Sequence, residues 1–138
     1  DPDAHIDTPA RYAPGDAIVY QACDDESDTH HAELQAMAAD IAALRTADGR
    51  PYTQFPLPWA QPVVDNGRRL AASYANYLII NGAVLMPASG EGADDKGAAV
   101  LAKAYPDREI VQVPCRALIW QNGSLHCITM QLPAGVLG

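Results

Sequence analysis

Two short segments at opposite ends of the chain carry the residue types needed for covalent hydrolysis of a carbon–nitrogen bond. The first reads DAHID from Asp3 to Asp7, and the second reads GSLHCIT from Gly123 to Thr129. In such a reaction a cysteine thiolate attacks, a histidine moves protons to the leaving nitrogen and from water, and a carboxylate holds a cationic substrate or orients the base. Cys127, His5 and Asp7 are therefore the candidate catalytic residues.

Each candidate also has a purely structural interpretation. A lone cysteine is usually a small buried apolar residue, and we assign Cys23 and Cys115 to that class because nothing beside them suggests chemistry. A histidine near an aspartate close to a chain end is often an exposed pair. The histidine and the glycine that precede Cys127 favour the catalytic interpretation of this thiol.

Two further polar clusters are predicted to be solvated rather than functional. Adjacent residues on a helix point apart, so His30 and His31 do not converge with Glu33 on a metal ion. The acidic run at 24–28 lacks the spaced ligands and the glycine of a calcium loop, which predicts a solvated turn. We expect neither a metal nor a cofactor.

Length and composition indicate one ordinary globular domain. The 138 residues are 49% apolar and 19% charged, enough to bury a core. The net charge of −8 has the wrong sign for nucleic acid and could help to gather a cationic substrate, although solubility explains it as well. No apolar run approaches the ~20 residues of a membrane span, and the start does not read as a signal peptide. We therefore expect a soluble, cytoplasmic protein without a membrane partner.

An imperfect internal repeat predicts two units that each read strand, acidic loop, helix, strand. Residues 17–19 echo 83–85, residues 10–12 echo 72–74, and residues 49–56 echo 107–114. The first predicted helix has one apolar face, formed by Leu34, Met37, Ile41 and Leu44, with Asp28 or Thr29 as its cap and Gly49 beyond its end. The second follows Asp94-Asp95, runs through Val100, Leu101 and Ala104, and is stopped by Pro106.

Six strands are predicted from β-branched and aromatic content between turn residues. They are Ala17–Tyr20, Tyr52–Leu57, Tyr77–Ile80, Ala83–Met86, Glu109–Val113 and Leu125–Gln131. Asn81-Gly82 is a hairpin signal. The stretch 56–66 is too rich in proline for regular structure and is predicted to be the loop that joins the two units.

The sequences of these motifs resemble those of the agmatine deiminase and bacterial (Porphyromonas-type) peptidylarginine deiminase group. The members of this group are guanidine-modifying enzymes of the pentein superfamily. Residues 4–7 match that group's Gly-His-Ile/Val-Asp segment, and residues 123–127 match its closing glycine-rich segment ending in His-Cys. Further matches lie in order between them, at 73–77, 81–84, 106–109 and 113–114. Two departures are Ala4 in place of the usual glycine and Gln121-Asn122 where some members have more glycines.

The resemblance implies an α/β fold, the pentein-type α/β propeller of five ββαβ modules around a central site. About two modules fit here, one over 8–58 and one over 72–133, joined by the linker at 56–66. The whole chain, 1–138, would then be a C-terminal portion of a longer enzyme and inactive by itself. Strands that converge on a shared axis would let His5 and Cys127 meet despite their distance in sequence.

The same resemblance implies hydrolysis of a guanidinium group, agmatine giving N-carbamoylputrescine and ammonia. Cys127 would be the covalent nucleophile and His5 the proton shuttle. Asp7 would hold the guanidinium, and Asn122 or Gly123 would offer it a backbone carbonyl. The expected partner is a small cationic guanidinium substrate. A homo-oligomer is also expected, because open propeller ends would expose apolar faces.

The sequence leaves three alternatives open. One is deimination of peptidyl arginine, whose distal end is read by residues outside these motifs. Another is a dihydrolase or amidinotransferase on the same fold, which would share the cysteine and the histidine. The third, from a different class, is a non-catalytic pentein-like binding or assembly fragment. We prefer agmatine because no secretion signal is evident and a cytoplasmic chain suits polyamine metabolism.

Overall fold

The structure, a computed structural model, describes residues 9–70, 72–121 and 123–137. The predicted site residues His5, Asp7 and Asn122 lie outside the described residues, so their roles stay predictions. Gly123 and Cys127 lie within them. None of the helices in the described ranges is long and apolar enough to cross a membrane.

Two units of the same topology make up most of the chain. The first consists of β1 (Ala10–Ala13), β2 (Ala17–Gln21), α1 (His31–Ala43) and β3 (Thr53–Leu57). A small hairpin, β4 (Val63–Asp65) and β5 (Arg68–Leu70), follows it. The second unit consists of β6 (Leu78–Ile80), β7 (Ala83–Ala88), α2 (Ala93–Ala104) and β8 (Glu109–Pro114). In each unit an antiparallel pair of strands is followed by a helix that crosses to a parallel third strand, which is the ββαβ order.

Strand pairing corrects the detail of the internal repeat. Ala17 and Ala83 occupy equivalent places, each opposite the first residue of the parallel third strand, as the sequence predicted. The counterpart of β1, however, is β6 and not 72–74, which precedes that strand. The echo of 49–56 in 107–114 is two residues out of register, because Pro56 pairs with Tyr20 whereas Pro114 pairs with Ala88.

Five of the six predicted strands are present, with bounds shifted by one or two residues. The sixth, Leu125–Gln131, is wrong: the chain there forms a short 3-10 helix, His126–Ile128, after an earlier one at Ile119–Gln121. Strand β1 was not predicted. The Asn81-Gly82 hairpin is confirmed, since Ile80 pairs with Ala83 across it.

The stretch 56–66 is more regular than its prolines suggested. Pro56 lies within β3, an edge strand, where a residue without an N–H is tolerated. Asn66 and Gly67 both have positive φ, 48° and 74°, and connect β4 to β5. An Asn-Gly pair is the residue combination that this two-residue turn requires, so a hairpin signal was present in the sequence and was outweighed by the prolines.

The helices begin and end near the predicted residues, with three differences. Leu44 is the residue after α1 and is 43% exposed, so it does not continue the apolar face. Asp94 and Asp95 lie in the first turn of α2 rather than before it. The predicted cap of α1 is wrong: His30 is the N-cap and has no side-chain capping bond, while the Asp28 side chain accepts the N–H of His30 at 2.9 Å, one turn position earlier than a cap would.

One apolar core joins the two units. Helix α2 packs against β3 of the first unit as well as against β7 and β8 of its own. The core contains Val19, Leu57, Ala60, Tyr74, Ala75, Tyr77, Val84, Met86, Leu101, Ala104 and Tyr105. Gly97 allows α2 its close approach, because a Cβ there would lie 3.2 Å from Met86 Sδ and 3.3 Å from the Tyr74 ring. Tyr74, in the segment that leads to β6, thereby packs closely against α2.

A polar contact also ties β1 to the second unit. Arg11 donates to the carbonyl of Tyr77 at 2.9 Å, and its guanidinium lies 5.1 Å from the centre of the Tyr77 ring. The hydroxyls of Tyr77 and Tyr105 are 2.9 Å apart. Burial raises the pKa of both phenols, so they stay neutral and can share this hydrogen bond.

Candidate active site

Cys127 presents an exposed thiol from the 3-10 helix that replaces the predicted last strand. The segment is folded back on itself: the N–H of Thr129 donates to the carbonyl of His126 at 3.0 Å, and the Thr129 hydroxyl donates to the same oxygen at 2.8 Å. These local bonds use the groups that a strand would offer to a neighbour. The turn puts the thiol at an exposed bend rather than on the face of a sheet.

Asn76 is the residue that anchors this bend. It is 1% exposed and stands two positions before β6. Its Oδ1 accepts the N–H of His126 at 3.0 Å and that of Cys127 at 3.4 Å, while its own carbonyl accepts the His126 N–H at 3.3 Å. The side chain therefore serves as a cap that the chain supplies from 50 residues away.

The same amide also contacts the sulfur. Asn76 Nδ2 donates to Cys127 Sγ over 3.2 Å, and the Cys127 thiol donates to Asn76 Oδ1 over 3.5 Å. Two backbone N–H groups face Oδ1, so the hydrogen-bond network fixes the orientation of the amide and directs its NH₂ group to the sulfur. A hydrogen bond donated to sulfur stabilises the thiolate, which is the nucleophilic form.

Gly123 provides the space for this arrangement. A Cβ at position 123 would lie 2.9 Å from Cys127 Cβ and 3.3 Å from Sγ, closer than side chains normally approach. The glycine before the His-Cys pair is therefore required by packing against the thiol. The structure leaves open its predicted second role, a carbonyl offered to the substrate, which stays a prediction together with that of Asn122.

A buried carboxylate holds the segment that carries Asn76. Asp94 accepts the Tyr74 hydroxyl at 2.7 Å and also the N–H groups of Ser89, Gly90 and Glu91. Burial, together with the Asp94 carboxylate, raises the pKa of Tyr74, so the phenol remains a donor. The sequence suggested only a helix start here, yet Asp94 joins the loop after β7 to the approach to β6.

The other two cysteines differ from Cys127 in exposure. Cys23 and Cys115 are each 2% exposed, as the sequence predicted. Burial raises the pKa of both thiols, which disfavours the thiolate. Among the described cysteines, the thiol with the predicted catalytic context is thus the one that a substrate can reach.

The acidic run at 24–28 is not wholly solvated. The Asp28 side chain is 4% exposed and forms a two-oxygen ion pair with Arg69 at 2.8 and 3.1 Å. Burial opposes its charged form, but the His30 N–H and Arg69 outweigh it and lower the pKa of Asp28. In the described ranges no group of three or more His, Cys, Asp or Glu side chains could hold a metal ion.

Sequence reasoning did not assign a role to Asn76, although its segment contributed to the resemblance. The available signal was a carboxamide within the apolar run from Tyr74 to Leu78, where a buried polar side chain needs a specific partner. Which partner it finds is not readable locally, because the thiol segment lies about 50 residues further along the chain.

Comparison with known proteins gives a consistent result. Residues 1–133 match the family described as Porphyromonas-type peptidyl-arginine deiminase. Agmatine deiminase of Pseudomonas putida is 31% identical over 97% of this chain, which spans 41% of that protein. A Porphyromonas gingivalis structure, provisionally named an arginine deiminase, superposes with a TM-score of 0.93 and 47% identity over 96% of this chain and 39% of that one.

A Cys-to-Ser variant of C. jejuni agmatine deiminase, solved with substrate bound, gives a TM-score of 0.83 and 37% identity over 91% of this chain and 36% of that one. The chain thus spans about two fifths of the length of these relatives. The expected pentein-type fold is confirmed, here as two ββαβ units that form no closed barrel within the described residues. This chain belongs to the Porphyromonas-type peptidyl-arginine deiminase family.

Proposed function

We propose that this chain supplies the thiol, the proton shuttle and one substrate-binding carboxylate of an enzyme that hydrolyses a guanidinium group. The observation that carries the proposal is the environment of Cys127: an exposed thiol, 3.2 Å from a buried amide donor, with space cleared by glycine. An inert structural cysteine needs none of these features. The family membership of the chain supports the same chemistry.

The proposed reaction begins with binding of the substrate guanidinium by a carboxylate. A guanidinium is a permanently charged plane of N–H donors that matches a carboxylate fork, and Asp7 provides one such carboxylate. The Cys127 thiolate then adds to the central carbon. His5 protonates the departing nitrogen, ammonia leaves, and a thiouronium intermediate remains.

Hydrolysis of that intermediate completes the turnover. His5 takes a proton from water, the hydroxide adds to the same carbon, and the carbon–sulfur bond breaks to release the Cys127 sulfur. The products are a ureido compound and the free enzyme. Asn76 stabilises the thiolate at both ends of this cycle, because its N–H is directed to the sulfur before attack and after release.

Agmatine is the proposed substrate and N-carbamoylputrescine the product, in the cytoplasm and within polyamine metabolism. Agmatine deiminases match nearly the whole of this chain, which supports the proposal. A Cys-to-Ser variant of the C. jejuni relative was solved with substrate bound, as expected if a nucleophile is removed and the pocket is kept.

Labelling with a haloacetamidine tests the nucleophile. This probe is shaped like a guanidinium, and in a complete enzyme containing these residues it should modify Cys127 and abolish ammonia release. Cys127→Ala should remove both labelling and turnover, whereas the matched control Cys115→Ala should keep both. Equal labelling of Cys23, or turnover in Cys127→Ala, would contradict the assignment.

Two further substitutions test the roles of His5 and Asp7. His5→Ala should lower kcat by about 100-fold or more, the usual loss for a general acid and base. Asp7→Asn should raise KM as well, because it removes charge that the substrate needs in its ground state. A variant with near-normal kcat and KM would lose its proposed role. If the complete enzyme released no ammonia from any guanidinium compound, a binding or assembly role would replace catalysis.

Peptidyl arginine is the second candidate substrate, because the matching family is described by that activity. The two substrates share the guanidinium and differ at the far end of the pocket. A panel of agmatine, free arginine and arginine peptides, assayed for ammonia and ureido product on the complete enzyme, distinguishes them. A higher kcat/KM for the peptides than for agmatine would overturn the agmatine proposal.

A further inference from the structure

We infer that Gln21 is a positioning residue that sets the place of Cys127 relative to the strand that follows His5 and Asp7; this inference rests on the proposed function. Gln21 is the last residue of β2 and is 3% exposed. It belongs to the first ββαβ unit, whereas Asn76 lies just before the second unit and Cys127 lies after it.

The Gln21 side chain uses its whole hydrogen-bonding capacity. Its Nε2 donates to the carbonyls of Ala22 at 3.0 Å and Pro58 at 2.7 Å. Its Oε1 accepts the N–H of Tyr74 at 3.1 Å and the hydroxyl of Ser73 at 3.4 Å. A primary amide offers two donors and an oxygen with two lone pairs, so these four contacts define one orientation.

These contacts lead directly to the thiol. Ser73 and Tyr74 begin the turn before β6, and within it Ser73 accepts the N–H of Ala75 on its hydroxyl at 3.2 Å and that of Asn76 on its carbonyl at 3.4 Å. Asn76 in turn holds the Cys127 bend. Displacing the Gln21 side chain would therefore release the first residue in a continuous series of hydrogen bonds that ends at the sulfur.

The main chain of Gln21 is bonded to the start of β1, which follows His5 and Asp7 closely in the sequence. Its N–H donates to the carbonyl of Pro9 at 2.7 Å, beside the pair formed by Ala10 and Tyr20 at the start of β1. Pro9 follows Asp7 by two positions in the sequence. A single residue is thus bonded through its backbone to the entry of β1 and through its side chain to the turn that supports Cys127.

Two alkylating probes test this role in a complete enzyme containing these residues. Iodoacetamide needs only a reactive thiol, whereas 2-chloroacetamidine also needs the groups that bind a guanidinium, so the ratio of the two rates reports how well the site is assembled. Gln21→Met keeps the volume and removes the amide. We expect it to lower the preference for the amidine by about 10- to 100-fold, as small misplacements of reacting groups do. The control Gln61→Met, at an exposed position, should leave the ratio unchanged.

A double-mutant cycle separates positioning from general stability. In an Asn76→Ala background, Gln21→Met should cause little further loss of the preference, because both act through the same turn. By contrast, the loss in free energy of unfolding that Gln21→Met causes, measured by chemical denaturation, should be the same in the Asn76→Ala background. Additive losses of the preference would contradict positioning through Asn76.

The milder variant Ser73→Ala keeps the test decisive if Gln21→Met fails to fold. It should lower the amidine preference several-fold, and an unchanged preference in it would overturn the inference. An enzyme that shows no amidine preference before any substitution overturns the proposed function, and this inference with it. A wild-type preference that is retained in Gln21→Met overturns the inference alone.

Discussion

Replacing Asn76 by Asp should slow alkylation of Cys127 while leaving the bend around it in place. Aspartate has almost the same shape, and one carboxylate oxygen can still accept the N–H groups of His126 and Cys127. The other oxygen replaces Nδ2, 3.2 Å from the sulfur. The substitution thus removes a donor to the thiolate and sets a like charge beside it.

The size of the effect follows from this geometry. A hydrogen bond to a charged group contributes about 1.5–3 kcal/mol. Repulsion at 3.2 Å adds at least about 1.3 kcal/mol, the value in a water-like dielectric, because the thiol is exposed but position 76 is buried. The thiolate is then destabilised by roughly 3–4 kcal/mol, which lowers its population at fixed pH. A more basic thiolate is also more nucleophilic, so the logarithm of the alkylation rate falls by only about half as much as the logarithm of the thiolate population. We expect alkylation to slow by at least about 13- to 30-fold at fixed pH.

The assay is iodoacetamide modification of Cys127 at neutral pH, followed by mass spectrometry of the peptide that contains it. Asn81→Asp is the matched control, because it makes the same substitution at an exposed turn position and should leave the rate unchanged. If iodoacetamide alkylated Cys127 of the Asn76→Asp variant as fast as Cys127 of the original chain, while circular dichroism showed an intact fold, the argument that Asn76 stabilises the thiolate would be refuted.

Three further predictions concern packing, charge and assembly. Gly123→Ala should displace the Cys127 bend, because its Cβ would lie 2.9 Å from that of Cys127; a crystal structure of the variant with the thiol unmoved would disprove this. Asp28→Asn should lower the free energy of unfolding at neutral pH. The pKa of Asp28 is lowered in the folded state, so its contribution is present above the unfolded value and fades as the pH falls through the folded one. Denaturation curves of the two proteins should therefore converge in acid, and a constant gap would argue against the Arg69 pair. Exposed apolar side chains in the segment 128–137 favour a homo-oligomer. Light scattering measures the molar mass in solution, and a value equal to that of one chain would contradict this prediction.

The regular elements were largely predictable because their causes are local. Turn residues such as Asn81-Gly82 and Pro106 mark where strands and helices end, and the apolar spacing of Leu34, Met37 and Ile41 specifies a helix. Local causes can also mislead. Leu125–Gln131 has strand-like composition, yet a strand needs a partner, and the local turn with the Asn76 cap satisfies the same backbone groups.

For the site, the sequence by itself predicted Cys127 as the nucleophile and determined which family the chain resembles, because both rest on residue types and their order along the chain. The proposed roles of His5 and Asp7 rest on the sequence alone. Only the tertiary structure decided what surrounds the thiol: the amide of Asn76 directed to the sulfur, and Gln21 joining β1 to the turn before β6. The contacts of Asn76 with Cys127 and of Gln21 with Tyr74 each link residues about 50 positions apart, and a hydrogen bond at that separation exists only once folding has set both groups within about 3 Å of each other.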